Sequence, residues 1–325
     1  MSRYDEHARY DRPKRRTRPR TKDRPSYDDA VVASVLTVDR GRYTCRIDSD
    51  RLITAMKARQ LGRKGVIVGD RVRLDGDTSG AQGTLARIVE VEPRATLLRR
   101  SADDDDPVER PLVANADQLV IVVAVANPEP RSRLVDRCLV AAFDAGLDPL
   151  LCLTKTDLAD PEPLMSTYRP LGVEAVSTRR DGDLAALVDR LRDRTSVLVG
   201  HSGVGKSTLV NALVPGADRA TGVVNDVTGR GRHTSTSTQV LRLPFGGWIV
   251  DTPGIRSFGL AHVDPTQLIE AFPDLAAETR DCPRGCTHAE TEPDCALDTA
   301  VAAGRIAPER LTSYRRLLAS RESRD

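Results

Sequence analysis

The run "GHSGVGKST" at residues 200–208 constrains the fold more than any other stretch of this 325-residue chain. It matches the pattern G-x-x-x-x-G-K-[ST] at Gly200, Gly205, Lys206 and Ser207, between an apolar run and a helix-compatible run. A strand, a glycine-rich loop and a helix in this order form a phosphate-binding loop, because glycines let backbone N–H groups converge on phosphate oxygens. We expect Lys206 to contact the β- and γ-phosphates and Ser207 to bind Mg²⁺.

The whole loop is therefore predicted to contact a nucleotide. Its residues are Gly200, His201, Ser202, Gly203, Val204, Gly205, Lys206, Ser207 and Thr208.

A second phosphate-proximal motif, "DTPG" at residues 251–254, ends another apolar run about forty residues further on. Asp251 is expected to approach Mg²⁺ through a water molecule, and Gly254 to place its N–H near the γ-phosphate. Four residues alone are a weak signal, but their position relative to the loop makes the assignment specific.

The motif "TKTD", Thr154, Lys155, Thr156 and Asp157, predicts that the base is guanine. The carboxylate of Asp157 can accept both the N1–H and the 2-amino group of guanine, whereas adenine would leave it unpaired. Lys155 is expected to lie over the base plane. Thr154 stands where the common form of the motif has Asn. The segment "VST" that follows the next apolar run, residues 176–178, is expected to offer a backbone N–H to the guanine O6.

The order of these motifs is unusual, because the base reader precedes the phosphate loop by some forty residues. An ordinary P-loop GTPase has the opposite order, so the sequence predicts a circular permutation. The termini of compact domains often lie close together, which allows the same sheet to be opened elsewhere. The permutation ties the segment after DTPG directly to whatever follows it in the chain.

The segment "GRGRHTSTST" at residues 229–238 occupies the position of a switch loop between the phosphate loop and DTPG. Thr234 is the candidate for a Mg²⁺-contacting hydroxyl, and His233 is the candidate acid or base; a histidine that only contacts solvent or phosphate is the alternative. Ile255 stands where many GTPases have a glutamine that orients water. We therefore expect slow intrinsic hydrolysis, on the order of 10⁻⁴–10⁻² s⁻¹.

A cluster of cysteines and one histidine near the C-terminus predicts a structural zinc site. Its members, Cys282, Cys286, His288 and Cys295, lie within fourteen residues. Three thiolates and one imidazole fill the tetrahedral shell of Zn²⁺ and leave no position for a catalytic water.

The remaining sequence predicts a chain of several domains. Short Val-, Ile- and Thr-rich runs over residues 29–98 favour an OB-like β-barrel, followed by a charged linker at 99–111. Buried strands alternating with helices over 112–264 predict a circularly permuted P-loop α/β GTPase domain. Residues 265–325 are predicted to form a small helical zinc-binding domain.

Charge is concentrated at the N-terminus, although the formal net charge is only +2. Residues 1–28 lack apolar periodicity and contain "RPKRRTRPRTK", so we expect a disordered basic tail that aids solubility or attaches to RNA phosphates. No apolar run approaches the roughly 18–20 residues of a membrane span. We expect a cytoplasmic protein with no membrane partner, and nothing in the sequence requires more than a monomer.

Taken together, a barrel, the ordered motifs "TKTD", "GHSGVGKS", "GRHTST" and "DTPGIRSFG", and a Cys-Cys-His-Cys cluster resemble the ribosome small subunit-dependent GTPase A family. The resemblance covers roughly residues 30–320. It implies GTP hydrolysis, with GTP and GDP bound at the motifs, stimulated by the small (30S) ribosomal subunit. It also implies a role in late maturation of that subunit, with the barrel and the zinc domain contacting 16S rRNA.

Two alternatives remain at this point. A P-loop ATPase or small-molecule kinase would share the phosphate loop, but Asp157 argues against it. A non-catalytic RNA-binding scaffold that uses GTP as a structural ligand is consistent with Ile255.

Overall fold

The structure, a computed structural model, describes residues 27–320 apart from residue 28 and residues 48–49, 63–64, 102–108, 216–237, 253–257 and 259–267. The predictions for the basic tail before residue 27 and for His233, Thr234 and Gly254 lie outside the described residues.

The predicted N-terminal barrel is confirmed as a closed, five-stranded barrel with the order β1-β2-β3-β5-β4. Its strands are β1 (Val31–Asp39), β2 (Arg42–Arg46), β3 (Leu52–Lys57), β4 (Arg71–Gly76) and β5 (Ala86–Val91). All neighbouring pairs are antiparallel except β3 with β5. Alternate side chains such as Val35, Cys45 and Ile53 fill the interior, as the period-2 pattern requires.

A two-stranded ribbon connects the barrel to the rest of the chain. The described ends of the predicted linker belong to β6 (Leu97–Ser101) and β7 (Glu109–Ala114), which pair antiparallel. The barrel approaches this ribbon closely at Gly69, where a Cβ would collide with the carbonyl oxygen of Ala114. Asn115 donates from its side-chain amide to the Gly69 carbonyl at 2.9 Å, so the barrel is fixed against the central domain.

The central domain is a six-stranded sheet with the order β10-β9-β8-β11-β13-β12. Its strands are β8 (Gln118–Ala124), β9 (Asp148–Thr154), β10 (Glu174–Ser177), β11 (Thr195–Val199), β12 (Gln239–Arg242) and β13 (Trp248–Asp251). The associated helices are α1 (Ser132–Asp144), α2 (Glu162–Tyr168), α3 (Ala185–Leu191) and α4 (Lys206–Leu213).

The sheet confirms the predicted α/β architecture and adds one feature. Along β8, Leu119 and Ile121 face one core while Val120 and Val122 face the other, so both faces are covered. Five strands are parallel, but β12 runs antiparallel to β13. Only a short turn separates these two strands, and a parallel connection would need a crossover of a dozen or more residues.

The C-terminal region consists of α5 (Pro273–Ala277), α6 (Ala296–Ala302) and α7 (Pro308–Ser320), with the cysteine and histidine cluster between α5 and α6. It shares a core with the central domain, because Phe272 packs edge-on against Phe143 of α1 at 4.9 Å and against Tyr314 of α7 at 5.4 Å between ring centroids. None of the helices in the described part of the chain is long and apolar enough to cross a membrane.

Candidate functional site

The phosphate loop lies between the end of β11 and the start of α4, as the sequence predicts. Three of its glycines are required by the backbone. A Cβ at Gly200 would lie 2.6 Å from the carbonyl oxygen of Val122, while Gly203 and Gly205 have φ values of +83° and +95°. Residues with a side chain rarely adopt such φ values, so glycine allows the loop to turn tightly and to present its backbone N–H groups at the N-terminus of α4.

Asp251 lies beside the loop because β13 is the parallel neighbour of β11, with Asp251 paired to Leu198. Its carboxylate forms a salt bridge with the ammonium of Lys206. Thr252, which is buried, donates its hydroxyl to the Leu198 carbonyl at 2.8 Å. The structure thus brings together the predicted phosphate-binding lysine and the first residue of DTPG.

The base-reading motif contacts the phosphate loop directly. The hydroxyl of Thr154, at the end of β9, donates to the carbonyl of Val204 at 2.5 Å, and this side chain is buried. The ammonium of Lys155 donates to the carbonyl of Gly203 at 2.9 Å and also to that of Asn127. Threonine in the position of the common asparagine therefore still joins the two motifs, through one hydroxyl.

The remaining groups of this motif lie at the same edge of the sheet. Asp157 is exposed. Thr156 donates its backbone N–H and its hydroxyl to the carbonyl of Thr178, at 3.3 and 3.1 Å. The Thr178 N–H donates to the Leu153 carbonyl at 2.7 Å. Of the three N–H groups in the VST segment, this one is therefore already engaged and not free for the guanine O6.

Sequence reasoning missed Asn127, whose carbonyl accepts from Lys155. The signal was present, because Asn127 follows the buried strand β8, and the carboxyl ends of parallel strands in such a sheet converge on the ligand site. It also missed the hydroxyl contacts of Thr154 and Thr252, which join positions about fifty residues apart and have no local signature.

The cysteine and histidine cluster is assembled around one ring nitrogen. His288 Nδ1 lies 3.6 Å from Cys282 Sγ, 3.5 Å from Cys286 Sγ and 3.7 Å from Cys295 Sγ. With Zn–S near 2.3 Å and Zn–N near 2.0–2.1 Å, a tetrahedral ion separates sulfur from nitrogen by about 3.6 Å. The four ligand atoms all lie within 4.8 Å of one another, so the donor set fits a tetrahedral metal ion.

The surroundings of the cluster affect its two kinds of donor in opposite ways. Burial lowers the pKa of His288, which keeps the imidazole neutral and able to donate a lone pair. Burial raises the pKa of the Cys286 thiol to about 11, so a cation must supply the attraction that deprotonates it. Arg315 holds the histidine backbone by donating to the His288 carbonyl at 3.1 Å.

The sheet order, the glycine loop and the guanine-type motif define a circularly permuted P-loop nucleotide-binding protein. A family model described as RsgA GTPase matches residues 91–261, more than half of the chain. The chain belongs to the RsgA GTPase family and is a GTP hydrolase.

Individual relatives agree with this assignment. The Small ribosomal subunit biogenesis GTPase RsgA of Pseudomonas aeruginosa is 41% identical over 274 residues, which cover 80% of this chain and 77% of the relative. The protein of the same name from Azotobacter vinelandii is 42% identical over 267 residues, covering 78% and 75%.

Two solved structures have the same fold. The crystal structure of YjeQ from Thermotoga maritima has a TM-score of 0.67 and 27% identity, covering 91% of this chain and 99% of that one. The structure of YloQ, described as a circularly permuted GTPase, has a TM-score of 0.66 and 25% identity, covering 93% and 99%. The permutation predicted from the motif order is confirmed.

Proposed function

We propose that this chain binds the small ribosomal subunit and hydrolyses GTP there, late in maturation of the subunit. The names of the relatives support the ribosomal role. The observation that supports guanine nucleotide as the ligand is the direct contact of Thr154 and Lys155 with the phosphate loop, which brings the guanine-type motif beside that loop. This role places the protein in the cytoplasm and in contact with 16S rRNA.

In the proposed site, the backbone of residues 200–208 and the Lys206 ammonium bind the phosphates, while Asp157 accepts from guanine. Ser207 and Thr234 would hold Mg²⁺, with Asp251 through a water molecule, and the ion supplies charge neutralisation on the phosphates. Gly254 would donate its N–H to the γ-phosphate.

The proposed chemistry is transfer of the γ-phosphoryl group to water. His233 is the proposed acid or base, assisted by Thr234. Ile255 cannot orient water by hydrogen bonding, so we expect the intrinsic rate to be low and the ribosomal subunit to raise it by ordering these groups.

For the C-terminal region, we propose that Cys282, Cys286, His288 and Cys295 hold one Zn²⁺. Four protein ligands close the coordination shell, so the ion would brace the fold and take no part in hydrolysis. The domain division predicted from the sequence, at residues 28, 98, 111 and 264, stays a proposal.

Turnover with and without purified small ribosomal subunits tests the ribosomal role. We expect release of phosphate from GTP to be slow alone and stimulated at least tenfold by the subunit, a lower bound well under the roughly 10³–10⁵-fold known for assisted GTPases. Tight GTP binding without stimulation would instead support a non-catalytic scaffold. The same assay on His233→Ala separates a catalytic histidine, which lowers the stimulated rate, from one that only contacts solvent.

Base recognition has a sharper test in Asp157→Asn. An asparagine amide can donate to the C2 carbonyl of xanthine, whereas it cannot accept both donors of guanine. We expect GTP affinity to fall by about 100-fold, because two charge-assisted hydrogen bonds are replaced by one neutral hydrogen bond. Xanthosine triphosphate should bind better to this variant than to the wild type. Asp160→Asn is the matched control, since its amide oxygen can still accept from the Glu162 N–H as Asp160 does. Undiminished GTP affinity in Asp157→Asn, or preference of the wild type for ATP, contradicts the proposal.

A further inference from the structure

Thr252 and Phe258, the described residues that flank positions 253–257, are both buried and hydrogen-bonded. On the near side, Thr252 is 2% exposed and bonded to the Leu198 carbonyl of the strand that leads into the phosphate loop. On the far side, Phe258 is fully buried, and its carbonyl accepts two hydrogen bonds from the guanidinium of Arg137, from Nε at 3.0 Å and Nη2 at 2.8 Å.

Arg137 is an unusual residue to find at this position. It lies on α1 with only 7% of its surface exposed. Burying a guanidinium is unfavourable unless its donors are satisfied, so a neutral side chain would serve simple packing better. Its planar fork, however, fixes the direction of an acceptor in a way that a flexible or apolar side chain cannot.

The helix that carries Arg137 is itself held by the C-terminal region. The neighbouring Asp136, 3% exposed, forms a salt bridge with Arg316 of α7, with 3.3 Å between Oδ2 and Nε. Arg315, next in sequence to Arg316, donates to the carbonyl of the cluster residue His288. Two consecutive residues of α1 thus connect the C-terminal region on one side with the Phe258 backbone on the other.

We propose that Arg137 is a positioning residue for GTP hydrolysis. It holds the backbone at Phe258, seven residues along the chain from Asp251, whose carboxylate contacts Lys206 of the phosphate loop. Its effect is therefore on the placement of groups around the γ-phosphate. Misplacing these groups lowers the rate of hydrolysis more than it weakens binding of the nucleotide in the ground state.

The test compares Arg137→Met with the wild type in GTP turnover, alone and with small ribosomal subunits, and in GDP affinity. We expect kcat to fall about tenfold or more, while KM and the Kd for GDP stay within about twofold. Arg137→Lys keeps the charge and one donor, so its kcat should lie between those of the other two proteins. Arg133→Met, an exposed arginine on the same helix, should match the wild type in both measurements.

A wild-type kcat in Arg137→Met overturns the proposal, as does an equal loss of kcat and GDP affinity that Arg137→Lys fails to reverse. If Arg137→Met does not fold, Arg137→Lys decides alone: a lowered kcat with unchanged GDP affinity supports the proposal, and a wild-type kcat overturns it. The inference rests on hydrolysis at the proposed site. That site fails if the wild type releases no phosphate from GTP, whereas the role of Arg137 fails if the wild type and Arg137→Met turn over alike.

Discussion

In the cysteine and histidine cluster, three sulfurs and the His288 Nδ1 already lie at the separations that a tetrahedral ion requires. In the phosphate loop, the Lys206 ammonium contacts Asp251, so a triphosphate must compete with a carboxylate for it. The first arrangement suits an ion that is retained for the life of the fold. The second suits a ligand that binds and leaves in every turnover, because the lysine has a negatively charged partner both with and without the nucleotide.

Loss of the proposed metal ion should have the largest effect. Zn²⁺ binding to small zinc-finger peptides is worth on the order of 10 kcal/mol, and Phe272 and Tyr314 of this region pack into the core of the central domain. We expect Cys295→Ser, or treatment with a strong chelator, to abolish metal binding, lower Tm and expose residues 268–320 to protease. Elemental analysis and thermal unfolding measure both changes.

Cys45→Ala is the matched control, because Cys45 is a buried barrel cysteine outside the cluster. It should keep one metal ion per chain. Full metal content in Cys295→Ser would show that the cluster is not the binding site.

Lys206→Met should have the next largest effect. Removing one preorganised donor from a site of developing negative charge typically costs about 10²–10³-fold in rate, so we expect kcat/KM for GTP to fall by about that factor. The fold should be retained, since the described partner of the lysine is a half-buried carboxylate. Lys57→Met in the barrel is the control and should turn over GTP at the wild-type rate; a similar kcat/KM in both variants would refute the assignment.

Thr154→Val tests the contact between the two nucleotide motifs and should have a moderate effect. The change preserves the shape of the side chain but leaves the Val204 carbonyl without its donor, at about 1 kcal/mol for a typical hydrogen bond. We expect GTP affinity to fall roughly three- to tenfold, measured by calorimetry. Thr167→Val also removes a hydroxyl-to-carbonyl bond, but on an exposed helix, and should leave the affinity unchanged. Equal affinities in the two variants would mean that the Thr154 contact does not support the site.

The smallest effect concerns the attachment of the C-terminal helix. Asp274 accepts a bidentate pair from Arg310, and these hydrogen bonds lower the pKa of its carboxyl below the ordinary value of 3.8. A lowered folded-state pKa means that the stabilisation is fully present above that ordinary value and is lost as pH falls through the lower one. The carboxylate is half exposed, so we expect less than about 1 kcal/mol.

The measurement is the difference in free energy of unfolding between the wild type and Asp274→Asn. This difference should be constant between about pH 5 and 7 and should shrink only in more acidic solution. A difference that grows as the pH falls would contradict the assigned direction.

Motifs that depend on contiguous residues were predicted correctly. The phosphate loop is determined by glycines at fixed spacing, since only they adopt the φ values of Gly203 and Gly205. The buried strand β8 follows from an uninterrupted apolar run, and the proximity of the four cysteine and histidine side chains follows from their short spacing. The permutation followed from motif order alone.

The sequence by itself therefore determined the domain types, the class of nucleotide site and which four cysteine and histidine side chains lie together, because local backbone geometry and side-chain chemistry are encoded in neighbouring residues. Only the tertiary structure decided that Thr154 binds the Val204 carbonyl, that His288 presents Nδ1 to the sulfurs, and that Arg137 holds Phe258, 121 residues away. Such contacts join chain segments brought together by the packing of the whole core. No pattern within either segment specifies its partner.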